Sequence, residues 1–171
     1  MITSRRLVTT LLIGAFVFGA SAKAQVPMFL GNWNAGIGAG GSIPTGSMSN
    51  SYYAGWTVDG WVAYHFVGSS LSGRAMYSFQ RFTGSVQSTP AINANGVSGE
   101  LVAHLPALYT HLYVVGGVGG YHLSDIGWRF GWHGGFGLAF HIMSRTALLE
   151  GKYLAMGNNF HTIPVTVGLV F

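Results

Sequence analysis

Charged side chains are scarce in this 171-residue chain, only 7% of the total, and six of them have types that could do chemistry together: Asp59, Arg74, Glu100, Arg129, Glu150 and Lys152. Three acids and three bases can exchange protons, line an ion path or neutralise one another in a buried interior. The last use is the expected one, because isolated buried ions carry a desolvation cost that mutual pairing offsets. His65, His104, His111 and His141 form a second set, with imidazoles able to bind a divalent metal or to hydrogen-bond among polar neighbours. Their spacing does not fix ligand distances, so no metal is assigned. Acyl chemistry on a lipid would need a serine, a histidine and an acid within reach of one another. Asn158-Asn159-Phe160-His161 offers one histidine without a matching serine and acid, so no enzyme is expected. The run Gly116-Gly117-Val118-Gly119-Gly120 lacks the Lys-Ser/Thr of a phosphate loop, and no cofactor is expected.

The elements that must position these groups follow a period of two, since glycines interrupt every long apolar run and defeat a helical reading. Eight segments alternate: 31–43, 53–66, 71–82, 96–105, 108–122, 128–141, 146–156 and 163–171. The sixth is the clearest, with Trp128, Phe130, Trp132, Phe136, Leu138 and Phe140 set against Arg129, Gly131, His133, Gly135, Gly137, Ala139 and His141. The fifth is apolar on both sides; if small residues face inward, Gly117 and Gly119 place His111, Tyr113 and Val115 inside with them, and a slip of one residue reverses the assignment. Asp59, Arg74, Glu100, Arg129, Glu150 and Lys152 lie opposite the Trp and Phe stripe. A soluble lipocalin-type barrel would reverse that arrangement, with apolar residues inside. The pattern therefore predicts an all-β fold, an eight-stranded antiparallel transmembrane β-barrel. The loops near Ser47, Pro90, Asp125 and Asn158, the first two long and polar, are expected outside the cell, and the turns near Gly68, Pro106 and Ser144 in the periplasm.

Residues 1–24 read as a cleaved secretory signal: Arg5 and Arg6, an apolar region over 7–19, and the small-x-small site Ala22-Lys23-Ala24. Residues 25–171 then form the barrel domain. Arg5, Arg6 and Lys23 leave with the signal, so the formal charge of +4 falls to five basic against four acidic residues. That balance excludes a nucleic-acid footprint. With no cysteine, stability comes from neither disulfide nor thiolate metal site.

The closing segment alternates Ile163, Val165, Val167, Leu169 and Phe171 with Pro164, Thr166, Gly168 and Val170. Together with Pro44-Thr45-Gly46 after the first strand and Glu150-Gly151-Lys152-Tyr153 in the seventh, it resembles the small eight-stranded bacterial outer-membrane barrels, the opacity-protein, OmpX and OmpA membrane-domain type. That family often has Arg where this chain has Lys152. The resemblance covers 25–171 and implies a bacterial outer-membrane location, contact with outer-membrane lipids and lipopolysaccharide, handling by the barrel-assembly machinery through Ile163, Val165, Val167, Leu169 and Phe171, and a monomer with a side-chain-plugged polar lumen. It implies a structural or surface-interaction role, with porin-like passage of ions or small solutes as the alternative. Deleting Phe171 is expected to slow membrane assembly while sparing secretion, as read by pulse-labelling and fractionation.

Overall fold

The computed structural model describes residues 32–85, 89–105, 111–124, 126–142 and 144–171. The expected signal segment 1–24, the turn at Pro106 and the loop residue Asp125 lie outside the described residues. Eight strands run in chain order: β1 (Trp33–Thr45), β2 (Gly55–His65), β3 (Leu71–Phe82), β4 (Ile92–His104), β5 (His111–Leu123), β6 (Gly127–Ile142), β7 (Arg145–Met156) and β8 (Phe160–Val170), with a 3-10 turn at Gly46–Asn50. Each pairs antiparallel with the next, and β8 pairs with β1, so the sheet closes and no strand edge is left exposed.

Closure is staggered. From Ala35 the paired residues run through Val62, Ala75, Gly99, Val118, Trp132, Ala155 and His161 to Thr45, ten residues further along β1. Such a stagger goes with strands tilted by roughly 35–45° to the barrel axis, and strands of this length then cross a hydrocarbon layer. Burial alternates as the pleat demands. Ile37, Val58, Val62, Val97, Leu101, Val118, Val165 and Val167 face outward and exposed, while the polar and charged residues between them are buried. Aromatic rings gather outside at both ends: Trp33, Phe66, Phe140 and Phe171 where the described chain begins and ends, and Trp56, Trp128 and Phe130 at the far end.

The interior is narrow, and glycines make room for its large rings. A Cβ on Gly36 or Gly168 would fall 2.3 or 2.6 Å from the Trp61 ring, which lies across the β1–β8 seam. Gly96 and Gly131 make the same allowance for Tyr121, and Gly137 for Tyr113. The fifth strand has the register its glycines require, with Tyr113 and Val115 buried and Val114 and Val118 exposed.

Strand bounds differ from expectation where polar or proline residues obscured the alternation. β1 continues through Pro44 to Thr45, because β2 pairs no further than Ser42 and a missing donor costs little there. β4 begins at Ile92 rather than Gly96, because Ile92 and Ala94 point into the barrel although Asn93 and Asn95 look like loop residues. β8 begins at Phe160 rather than Ile163. Pro164 stands inside β8, and the β7–β8 pairing skips the two positions between Gly151↔Val165 and Leu154↔Thr162. Without an N–H, proline cannot complete that ladder.

Gly36→Ala is expected to cost about 1–3 kcal/mol through overpacking against Trp61. Trp61→Leu in the same chain should recover part of it, and the outward Gly60→Ala, which meets nothing within 4 Å, should leave thermal unfolding unchanged.

Candidate functional site

The middle of the barrel holds a compact ionic cluster. Arg74 on β3 and Glu100 on β4 are direct cross-strand partners, and the guanidinium Nε donates to Glu100 Oε2. Its Nη2 donates to both oxygens of Glu150 on β7, at 3.0 and 2.9 Å. Lys152, two residues along and on the same face, lies with Nζ 2.9 Å from Glu150 Oε1 and 3.4 Å from Glu100 Oε1. The Tyr113 hydroxyl donates to Glu150 Oε2 at 2.9 Å. Arg74 also sits over the Trp61 ring, 5.7 Å from its centroid. All of these side chains are buried, so each charge depends on its partners for the solvation it has lost.

His133 joins the cluster from β6 because of a glycine. Gly117 on β5 pairs with Glu100 on one side and His133 on the other. A Cβ there would lie 2.7 Å from His133 Nε2 and 2.9 Å from Glu100 Cγ. Through that gap Nε2 comes within 2.7 Å of Glu100 Oε1, off the line of a well-aligned hydrogen bond, while Nδ1 lies 3.2 Å from the Tyr121 hydroxyl. Asp59 on β2 is buried beside the cluster and makes none of its ion pairs; Thr57 Oγ1 donates to it at 3.3 Å. Two cavities of about 10 Å³ adjoin Asp59, each with room for one water. Glu100 and Glu150 thus face Arg74 and Lys152, with Asp59 and His133 buried beside them.

Apolar packing closes the polar section on both sides. Towards the far end Met48, carried in by the Gly46–Asn50 turn, packs with Phe82, Ile92, Tyr121, Leu123, Leu154 and Met156. Towards the end where the described chain begins and ends, Trp61, Ala63 and Met76 pack with Leu148 and Val170, and Val102, Tyr113 and Val115 with Ala139 and Leu148.

The structure brings four of the six expected charged residues, Arg74, Glu100, Glu150 and Lys152, into ion pairs, sets Asp59 beside them without one, and leaves Arg129 out. Arg129 has the inward parity, opposite Tyr121, but lies at the far-end mouth above the apolar packing, exposed, with Nη1 donating to the Trp128 carbonyl at 3.2 Å and its stem against Gly157. Water is available to it there, and among the described residues it makes no ion pair. His133 and Tyr113 take places in the cluster that sequence reasoning did not assign. Alternation puts the His133 side chain inside, and inward-facing Gly117 and Gly119 do the same for Tyr113; finding their partners needs the cross-strand register and the gap at Gly117.

The four histidines collect at the end where the described chain begins and ends but divide into pairs. His65 and His104 have ring centroids 5.8 Å apart, and His111 and His141 5.5 Å. Both nitrogens of His65 are engaged, with Ser72 Oγ and Asn34 Nδ2 each at 2.6 Å. Among the described residues no three histidine or acid side chains converge as metal ligands. His161 holds the Tyr153 hydroxyl at 2.9 Å from Nδ1. The rest of the closing row faces outward, and Phe171 keeps its place on β1 through N–H donation to the Ala35 carbonyl at 2.8 Å, with Arg145 4.8 Å over its ring.

No protein-family model matches the sequence, and no curated relative does. Among solved structures, the crystal structure of Neisserial surface protein A (NspA) aligns with a TM-score of 0.64 and 11% identity, covering 81% of this chain and 95% of that one. A structure from the de novo design of transmembrane β-barrels aligns with a TM-score of 0.49 and 14% identity, over 82% and 96% of the two chains. The closed eight-stranded antiparallel barrel is therefore a fold this chain has in common with a neisserial surface protein.

Proposed function

We propose that this chain is a monomeric bacterial outer-membrane barrel with a filled, non-conducting interior, and that its role is structural or one of surface interaction through its far-end loops. The observation that carries this reading is the buried ionic cluster held between two apolar layers. An ion entering the lumen would have to pass apolar side chains at both ends and displace paired charges between them. Two aromatic belts flanking an aliphatic wall support insertion in a bilayer, with lipids, lipopolysaccharide among them, as the surrounding partners. The loop asymmetry favours the far end as the extracellular one, and the alternation from Ile163 to Phe171 favours delivery by the barrel-assembly machinery.

Purified protein in planar bilayers is expected to give no reproducible current steps, and steps that persist at high dilution would favour the small-channel alternative instead. Arg74→Ala should leave Glu100 and Glu150 without their common partner and cost about 3–5 kcal/mol, read as an earlier transition in heat-modifiable electrophoresis. An unchanged transition would remove the cluster from any part in holding the barrel.

A further inference from the structure

The lipid-facing wall is mostly apolar, and apart from Arg145 over Phe171 and His161 beside Tyr153 its polar side chains gather in one sector at its far end. There Arg81 on β3 pairs with Asn93 on β4, Asn95 pairs with His122 on β5, and His122 pairs with Trp128 on β6, all on the outward parity. Arg81 and His122 are exposed and flank the two asparagines, roughly 10 Å apart across two strand spacings. Aromatic rings frame the sector. Trp56 lies opposite Arg81 and packs with Phe79 at 5.3 Å, and Trp128 meets the His122 ring edge-on at 5.6 Å.

The charge distribution says what this sector fits. Asp59, Glu100 and Glu150 are all buried in the lumen, so among the described residues no acid is available to Arg81 on the outer wall. Asp125, the fourth acid of residues 25–171, lies outside the described residues. A guanidinium, an imidazole and two carboxamides present hydrogen-bond donors at the level of the tryptophan belt, where lipid headgroups lie. Hydrocarbon cannot satisfy such groups, and a phosphate held at that depth by its own acyl chains can.

We propose that Arg81, Asn93, Asn95 and His122 form a docking site for the phosphorylated headgroup of an outer-leaflet glycolipid. The proposal rests on the outer-membrane reading above and adds to it a fixed position for one lipid. Arg81 supplies a bidentate donor face to a phosphate, His122 donates to the same or a second phosphate, and the asparagine amides reach sugar hydroxyls and linkage carbonyls between them.

The test uses the whole barrel purified in maltoside detergent, its folding checked by heat-modifiable migration. Bisphosphorylated lipid A is expected to raise the thermal midpoint saturably. The double variant R81Q/H122Q should weaken its apparent affinity about tenfold or more, since each change removes a charge-assisted or directed hydrogen bond. Arg145→Gln, at the opposite end, should bind as wild type. Dephosphorylated lipid A and inorganic phosphate should give no saturable shift. Wild-type affinity in R81Q/H122Q, equal loss in Arg145→Gln, or equal binding of dephosphorylated lipid A overturns the proposal. A shift from inorganic phosphate alone also overturns it, by showing a free-anion site. A wild-type protein without heat-modifiable migration would instead count against the membrane-barrel reading itself.

Discussion

The interior of this barrel is arranged around the guanidinium of Arg74. Its planar set of donors reaches two carboxylates on separate strands, Glu100 beside it and Glu150 across the lumen, while its face rests on Trp61. A lysine in its place would offer one compact charge and could not serve both acids in directed geometry. Lys152 acts in that simpler way, as a point charge near both carboxylates. Removing water from Arg74, Glu100, His133, Glu150 and Lys152 is tolerable only because each has a partner, and that partnering depends on a closed sheet that brings β3, β4, β6 and β7 to one axis.

The same narrowness that lets the ions meet leaves little space for anything else. An eight-stranded barrel is just wide enough for its side chains to fill, so every large inward ring requires a small partner opposite. Trp61, Tyr113 and Tyr121 lie over glycines, and Glu100 meets His133 only because Gly117 lies between them. The abundance of glycine is thus a packing requirement tied to particular rings and charges. It is also the reason a helical period never develops.

Much of this architecture is legible in the sequence because a half-lipid, half-lumen strand writes its two faces alternately. All eight strands are visible that way, as is the inward parity of Asp59, Arg74, Glu100, Glu150 and Lys152. What alternation cannot convey is height along the barrel. Arg129 has the correct parity but stands above the apolar layer, in contact with water, and so leaves the cluster. His133 has equal parity and lies at the right height, a fact held only in the pairing of Gly117 with both neighbours. Ile92 to Asn95 are not legible as strand for a related reason. Polar residues on the lipid-facing side look like a loop unless the wall there is itself polar, and at that sector it is.

The Arg74–Glu150 pair has a bearing on how the barrel comes into being. Its members are 76 residues apart, and the hairpins between them must be laid down before the two can meet. Until β7 arrives, a growing sheet carries an arginine only half compensated, in surroundings that are losing water. Partial sheets are therefore penalised, and the last strands to pair restore the balance all at once. The interior chemistry thereby makes completion of the circle cooperative, favouring a finished barrel over any arc of one.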